Sequence, residues 1–277
     1  MKQFPPVPHV EDAPDELRSG GHVWITEKID GAPLRFRVRE SGLLVFGDRN
    51  RIYDDDDVPA AYGHAVRNVR ERLDREALAD AVSDPSSLTF FGEATHKHAI
   101  EYDWDRLPSV LGFAVHSERH DAFLPPDAAH RAFAAIDLDP VPVVRKEVRA
   151  TDFDPDRYEV PDSAWYDGPA EGVVIENKRG SRAKLLHPRV RGEEDAVPAV
   201  EDPETLAGEY ITDHRIERAV RSLERHDRAP TFDSVYERVY EGLLRERHRT
   251  IQHADVDEGR FKSVVAERVR RWLEASR

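Results

Sequence analysis

The chain contains no cysteine, one methionine and only seven lysines among 277 residues. Without cysteine there can be neither a disulfide framework nor a thiolate metal site. No apolar run approaches the ~20 residues that cross a bilayer, and the first residues carry no apolar stretch of the kind found in secretory signals. We therefore expect a cytoplasmic protein that does not enter a membrane.

Acidic residues outnumber basic ones. The chain has 55 Asp and Glu against 41 Lys and Arg, a net charge of −14, and an apolar content of 39%. Arginine is far commoner than lysine, with 34 residues against seven. This composition favours adaptation to concentrated salt over an ordinary acidic surface. At molar salt the Debye length falls to ~3 Å, so the net charge does not exclude a nucleic-acid substrate.

Local charge is therefore the better guide, and two basic segments stand out. Residues 178–191 (KRGSRAKLLHPRVR) hold six Lys and Arg and no acid, which favours phosphate binding. Arg35, Arg37 and Arg39 alternate along a predicted strand and so share one face. That face is either a second contact for phosphates or a solvated strand with acidic neighbours.

Apolar patterning predicts strands and helices over the first 190 residues. Short alternating or continuous apolar runs indicate strands, and apolar positions within 60–82 repeat at helical spacing. Because the strands follow one another through short turns without a strand–helix–strand rhythm, we expect an α+β domain built on antiparallel sheets. The predicted strands are 22–28, 34–39, 42–47, 87–93, 110–116, 141–149, 171–176 and 182–187, with a short helix near 127–136.

The character of the sequence changes after residue 191. An acidic, proline-containing stretch at 193–204 is typical of a linker. Residues 205–277 carry apolar positions at helical spacing in three segments, 206–227, 232–250 and 257–275. We expect a first domain at 1–192, the linker, and a small all-helical C-terminal domain at 205–277.

Lys28 is the first candidate for chemistry. It lies in TEKIDG at 26–31, in a chain that uses arginine wherever charge alone is needed. An ammonium group can lose its proton and become a nucleophile, whereas a guanidinium stays protonated. The alternative is a lysine on the surface of a strand.

Four short blocks each place a reactive or polar group at the edge of a predicted strand. They are KIDG at 28–31, FGE at 91–93, EGVV at 171–174 and RAK at 182–184. In this order, together with FGDRN at 46–50 and LGFAVH at 111–116, they resemble the covalent nucleotidyltransferase superfamily of ATP-dependent ligases and mRNA capping enzymes. The resemblance covers roughly residues 20–190, and it implies an antiparallel-sheet adenylation domain.

The helical tail decides which branch the chain resembles most. Capping enzymes and most DNA ligases of the superfamily continue with an OB-fold, whereas the RNA ligases that repair nicked double-stranded RNA continue with a helical domain. The chain is similar to the latter in its tail and in Glu27 before the lysine. It departs from them at Asp30, at Ala32-Pro33 and at Arg182, where those enzymes have His, a Ser/Thr-Asn pair and Lys.

This resemblance implies an ATP-dependent RNA ligase. The uncharged amine of Lys28 would attack the α-phosphate of ATP, with Lys184 as the second catalytic residue and Glu171 as ligand of Mg²⁺ or Mn²⁺. Neighbouring cations would lower the pKa of Lys28. The resulting lysyl-AMP would serve to join the 3′-OH and 5′-phosphate ends of a nucleic acid, expected to be RNA, and we expect a monomer.

The resemblance also implies the nucleotide contacts. Glu93 would accept from the ribose hydroxyls, and Phe113 would stack on adenine with Val173 on the other side. Core packing is the rival interpretation for Phe113, and a salt bridge to an arginine is the rival for Glu171. The full set of expected nucleotide-binding residues is Glu27, Asp30, Gly31, Arg49, Glu93, Phe113, Val173 and Arg182.

Three alternatives for the function stay open. A DNA ligase or a GTP-using capping-type transferase would use the same fold. A nucleic-acid-binding protein with an inactive site is the third. The His96-Lys97-His98 segment has no third ligand at a suitable spacing, so we expect a loop there, not a metal site.

Overall fold

The computed structural model describes residues 1–54, 57–189, 202–247, 251 and 257–276. The chain divides into two compact units. The sheet unit comprises Met1–Val58, Ala65–Thr95 and Ala99–Glu194, and the helical unit comprises Pro59–His64, His96–His98 and Asp195–Arg277. Most of the predicted linker, 193–201, lies outside the described residues, so the domain boundaries stay a prediction.

The sheet unit contains two antiparallel sheets, as the α+β prediction requires. The four-stranded sheet has the order β7-β1-β8-β9, and the five-stranded sheet has the order β3-β2-β4-β5-β6. The strands are β1 His22–Lys28, β2 Gly31–Val38, β3 Leu44–Gly47, β4 Leu88–Thr95, β5 Val110–Ser117, β6 Ala122–Phe123, β7 Val143–Arg149, β8 Gly172–Asn177 and β9 Arg182–Leu186.

Four helices accompany these sheets: α1 Asp15–Arg18, α2 Ala60–Arg72, α3 Arg75–Ala81 and α4 Pro126–Ala135. The single helix predicted at 60–82 is therefore wrong in one respect, because it is two helices. Asp74 separates them, since its side chain accepts a hydrogen bond from the backbone N–H of Ala77 and so begins α3.

The strand register sets one polar face on the four-stranded sheet. Across β1, β8 and β9, Thr26 lies opposite Val174, which lies opposite Lys184. Two residues further along each strand, Trp24 lies opposite Glu176, which lies opposite Arg182; these three residues form a second row. Because side chains alternate along a strand, both rows and Lys28 share one face. The other face is core, formed by Val10, Leu17, Val23, Ile25, Ala150, Val173, Ile175 and Ala183.

The five-stranded sheet packs its aromatic residues under α4. Phe36 and Phe90 stack with ring centroids 5.1 Å apart, and Phe133 of α4 meets Phe90 edge-on at 5.6 Å. Gly112 of β5 makes this packing possible, because a Cβ there would lie 2.3 Å from the ring of Phe133. The helix is thereby fixed close against β5.

The helical unit contains α5 Pro203–Tyr210, α6 Asp213–Arg225, α7 Phe232–Glu246 and α8 Glu258–Ala275. The predicted segment 206–227 is divided between α5 and α6, where the side chain of Thr212 caps the start of α6. The helices share an apolar core that includes Leu206, Ile216, Val239, Leu243 and Val265. None of the described helices has both the length and the apolar composition needed to cross a membrane.

Candidate active site

A cavity of about 280 Å³ lies over the polar face of the four-stranded sheet. That sheet contributes both rows and Lys28. The five-stranded sheet contributes Gly31, Pro33, Glu93, Gly112 and Phe113. The connection from β1 to β2 is only two residues long, so the lysine that ends β1 lies where the two sheets meet.

Lys28 is held by a carboxylate at the floor of this cavity. Its Nζ lies 2.7 Å from both side-chain oxygens of Glu171, the residue just before β8. Burial alone would lower the pKa of the Lys28 ammonium, but the charges of Glu171 and Glu93 outweigh it and raise the pKa above its ordinary value. The expected lowering of this pKa is therefore wrong for this arrangement, because the nearest charges are carboxylates and not cations.

Glu93 brings a second carboxylate to the same place. Its side chain leaves β4 towards Lys28, and burial, reinforced by Glu171 and Asp30, raises the pKa of Glu93 to about 8. The carboxylates of Glu171, Glu93 and Asp30 thus surround Lys28 in a part of the cavity that is poorly solvated. A site of this kind is short of positive charge and suits a cationic ligand.

Two further cations line the cavity. Lys184 lies in the row that contains Thr26, and burial together with the charges of Lys28 and Arg49 lowers the pKa of its ammonium. Arg49 follows β3 and is exposed. Lys28, Lys184 and Arg49 are therefore positioned to contact an anion that enters the cavity.

Arg182 also lines the cavity, but other residues already hold it. Its Nη2 donates to Oε1 of Glu176 at 2.5 Å, and its guanidinium lies over the rings of Phe4 and Phe123, at 4.9 and 4.8 Å from their centroids. Arg182 and Lys184, the two basic residues of the RAK block, therefore differ in their surroundings. Lys184 faces the lysine end of the cavity, and Arg182 is fixed at the far end.

Phe113 enters the cavity through an irregularity in β5. Phe91 pairs with Ala114 and Gly92 with Gly112, so Phe113 is the extra residue of a β-bulge. A bulge redirects a side chain, and here it points the ring at the cavity, 4.9 Å from that of Phe4. The ring is only partly buried, which favours the binding interpretation over the core one.

The expectation for Val173 is corrected by the register. Val173 is fully buried on the core face of β8, whereas its neighbour Val174 lines the cavity. Val174, and not Val173, is therefore the valine of β8 that lines the cavity together with Phe113. Both residues are valine, so the alternation of β8 could not be read from the sequence.

Three predicted nucleotide contacts turn out to shape the site. The carboxylate of Glu27 is buried and accepts from Ser163 Oγ at 2.5 Å and from the N–H of Ala164 at 3.1 Å. Asp30 is buried too, and its Oδ2 accepts from the N–H groups of Ala99 and Ile100 at 2.7 and 2.9 Å. These side chains hold the segments beside the cavity.

A glycine at position 31 is likewise required by the packing of the protein itself. A Cβ there would lie 2.3 Å from the carbonyl oxygen of Ala94, so the glycine lets β2 approach β4. It does line the cavity, but its backbone does not adopt a positive φ. The close approach that requires glycine is between two strands of the protein.

Sequence reasoning did not find the N-terminal strap, defined as residues 1–9. Its carbonyls at Lys2 and Pro8 accept from Arg35 Nη1 and from the N–H of Lys184, each at 2.8 Å. Phe4 and Val7 thereby line the cavity. The strap carries no local signal, whereas Thr26 and Trp24 could have been found by alternation from Lys28.

The basic segments have partners within the sheet unit. Arg35 is buried and holds the strap, Arg37 pairs with Glu118 at 2.6 Å, and Lys178 pairs with Glu147 at 2.8 Å. Of the run 178–191, residues 190 and 191 lie outside the described residues. Arg35 and Arg37 thus serve the fold, which argues against a second phosphate-binding face.

Within the described part of the chain, no group of three or more His, Asp or Glu side chains is arranged to hold a metal ion. His96 and His98 lie in a loop between β4 and β5. A cation at Lys28 would therefore depend on one or two carboxylates and on ligand oxygens. Glu171 and Glu93 are the candidates.

A model of the RNA ligase family matches residues 21–189, which is more than half of the chain. No curated protein matches. Among solved structures, a Naegleria gruberi RNA ligase mutant with ATP and Mn is 15% identical with a TM-score of 0.54, over 70% of this chain and 59% of that one. The same ligase with PPi is 16% identical at a TM-score of 0.54, over 71% and 59%.

An archaeal ATP-dependent RNA ligase is 15% identical with a TM-score of 0.50, over 91% of this chain and 65% of that one. At such low identity these likenesses show a shared fold. The chain spans less than two thirds of the length of each of these structures.

Proposed function

Because the chain belongs to the RNA ligase family, we propose that it is an ATP-dependent RNA ligase that joins 3′-OH and 5′-phosphate ends through lysyl-AMP and an adenylylated strand. One observation carries this proposal. Lys28, the lysine that the resemblance implies as nucleophile, lines a cavity with Glu171 2.7 Å from its Nζ and with three further cations, Lys184, Arg49 and Arg182, in the lining. A covalent transfer needs a nucleophile and groups that bind phosphate, and these residues would supply both.

In the first step the Nζ lone pair of Lys28 forms a bond to the α-phosphorus of ATP. The bond from that phosphorus to the bridging oxygen breaks, and pyrophosphate leaves with the electron pair. The ammonium must first give up a proton, and the Glu171 oxygens are at hydrogen-bonding distance from it. Lys184 and Arg49 would offset negative charge that builds on the phosphate.

The second and third steps need no new covalent bond to the protein. The 5′-phosphate of a strand attacks the phosphorus of lysyl-AMP and releases the lysine, which gives an adenylylated strand. The 3′-OH of the other strand then attacks the 5′-phosphate, and AMP leaves. The cavity therefore has to bind AMP in all three steps.

The residues around Lys28 fit Mg²⁺ or Mn²⁺. Both ions accept oxygen ligands, and Mg²⁺ is commonly held by one or two carboxylates together with substrate phosphates. Glu171 would hold the ion, and Glu93, whose pKa is raised mainly by burial, lines the cavity beside Lys28. When bound, the ion supplies positive charge to the phosphates of ATP.

The rest of the cavity suits the nucleoside. Phe113 and Val174 both line it and would enclose the base, and Glu93 would accept from the ribose hydroxyls. An aromatic ring and an aliphatic side chain offer flat apolar contact to a base, and a carboxylate accepts well from a diol. Glu27, Asp30 and Gly31 would keep these groups in place.

Self-labelling tests the proposal. Lys28→Ala and Lys28→Arg should both fail to retain label from α-labelled ATP after denaturation, because neither side chain can supply an uncharged amine. Lys178→Arg is the matched control, since Lys178 pairs with Glu147 outside the cavity and should label as wild type does. Label on Lys28→Arg would place the nucleophile elsewhere.

Strand joining tests the later steps. Lys28→Ala should still seal RNA that already carries a 5′-adenylate, because this step needs no lysyl-AMP. Wild type that labels with GTP in place of ATP would favour a capping-type transferase, and no label at all would favour an inactive relative. Nicked RNA and nicked DNA duplexes compared side by side decide the substrate, and light scattering checks the expected monomer.

A further inference from the structure

The end of the cavity opposite Lys28 carries a second polar group. Trp24, Glu176 and Arg182 lie side by side across β1, β8 and β9, and all three line the cavity. Trp24 is four residues from Lys28 on the same strand face, which is ~13 Å at 3.3 Å per residue. This distance leaves room for a nucleoside between the lysine and the row.

Glu176 is the group in this row that the proposed reaction does not use. It is only 8% exposed. Its Oε1 accepts from Arg182 at 2.5 Å, and its side chain lines the cavity. Burying a carboxylate is costly, and one ion pair offsets that cost only in part. A carboxylate that is held by one ion pair and reaches the cavity is suited to a donor on a ligand.

The surroundings of Glu176 fix its position. Arg182 lies over the rings of Phe4 and Phe123, so the guanidinium that pairs with Glu176 has little freedom. Trp24 on the other side donates its indole N–H to Glu147 at 2.9 Å and is fixed as well. The site is therefore preorganised, which lowers the cost of ordering it on binding.

The orientation of the nucleotide follows from the proposed function, on which this inference rests. With the α-phosphate at Lys28 and the base beside Phe113 and Val174, the base edge far from the ribose would lie towards the next residue on that face of β8. That residue is Glu176. A purine presents its 6-substituent on this edge.

We propose that Glu176 selects adenine by accepting a hydrogen bond from its 6-amino group. A carboxylate only accepts hydrogen bonds, so a 6-oxo purine would bring a second acceptor against it. A buried acceptor that faces an acceptor is left unpaired, and unpaired buried groups reject a ligand strongly. Glu176 is thus a specificity-determining residue, and Arg182 positions it.

Exchange of the carboxylate tests this inference. Wild type should bind and react with ATP in preference to inosine triphosphate, which has oxygen at position 6. In Glu176→Gln the amide can donate to that oxygen, so the ratio of ATP to inosine triphosphate efficiency should fall about tenfold or more. A ratio within about twofold of wild type would overturn the inference.

The matched control is Glu118→Gln. It also takes a carboxylate from an arginine ion pair, that with Arg37 at 2.6 Å, but Glu118 does not line the cavity. Its nucleotide preference should equal that of wild type. An equal drop in the control would mean that loss of any such ion pair disturbs selectivity, which contradicts a role specific to Glu176.

A change in the nucleotide covers the case in which Glu176→Gln does not fold. Purine riboside triphosphate lacks the 6-amino group, and wild type should bind it about tenfold more weakly than ATP. Equal binding of the two refutes the inference.

Binding measured by equilibrium dialysis with Lys28→Ala needs no chemistry. Selective binding without labelling of wild type would sink the ligase proposal and leave this inference standing. Labelling of wild type without selectivity between the bases would support the ligase proposal and refute the role of Glu176.

Discussion

Replacing Asp30 separates a structural role from a ligand contact. The resemblance assigns Asp30 to the nucleotide, whereas its buried Oδ2 accepts two backbone N–H bonds from Ala99 and Ile100. Asp30→Ala removes both acceptor contacts and leaves the two donors without this partner. Asp30→Asn keeps an oxygen of the same size at the same place and loses only the charge.

The two substitutions should differ in cost. A hydrogen bond to a charged group contributes about 1.5–3 kcal/mol, so Asp30→Ala should lower the free energy of unfolding by about 3 kcal/mol or more. For Asp30→Asn, where the bonds become neutral, we expect a loss of about 1 kcal/mol. At roughly 2–4 °C per kcal/mol, Tm should fall by about 6–12 °C for alanine and about 2–4 °C for asparagine.

Thermal unfolding and ATP binding are measured on the same preparations. Asp30→Asn should bind ATP about as well as wild type, because its side chain still holds the 99–100 segment. Two variants that keep the Tm of wild type but no longer bind ATP would refute this reasoning. Asp30 would then be the nucleotide contact that the family resemblance implies.

Three other substitutions test the packing around the cavity. Gly112→Ala should cost about 1–3 kcal/mol in urea unfolding, because the new Cβ meets the buried ring of Phe133 at 2.3 Å; unchanged stability would contradict that packing. Phe4→Ala should weaken ATP binding in a dialysis assay, because the ring that supports Phe113 is lost, and unaltered affinity would leave the strap without a role there. Burial lowers the pKa of His116 below its ordinary value, so the unfolded chain binds a proton there more readily than the folded one. Wild type should therefore lose stability as the pH falls below about 6.5, and His116→Gln should lose less over the same range; parallel curves would refute this.

The fold class could be predicted because each strand carries its own apolar pattern. The antiparallel α+β architecture is confirmed, as is the helical region after residue 202. The break at Asp74 was missed because an aspartate inside a periodic segment also fits an exposed helical position. The cap becomes visible only when its bond to Ala77 is known.

The site could be read only in part. Lys28, Glu93, Glu171 and Lys184 stand in sequence blocks, and the fold brings them to one cavity. The row that contains Glu176 depends on pairing between strands about 150 residues apart, which no local pattern encodes. The direction of the Lys28 pKa also depends on this pairing, since it places Glu171 nearer than any cation.

The sequence also could not predict the direction in which the Phe113 side chain points. An aromatic residue within a strand is usually core, and only the bulge in β5 turns this ring into the cavity. Phe4 reaches the same place from more than a hundred residues away along the chain. Long-range packing of this kind has no signature in a single sequence.

The strap has a consequence for self-association. β9 is an outer strand, and an outer strand offers free backbone groups on which another chain can build a sheet. On that edge the carbonyl of Pro8 accepts a hydrogen bond from the N–H of Lys184, and His9 forms a short parallel bridge with Lys184. On the opposite outer strand, β7, the exposed charges of Lys146 and Glu147 and a bulge across from Trp24 discourage the same addition. Removal of the strap would expose the cavity and the β9 edge together. Aggregation of the protein and loss of nucleotide binding should therefore appear together in the same truncated variant.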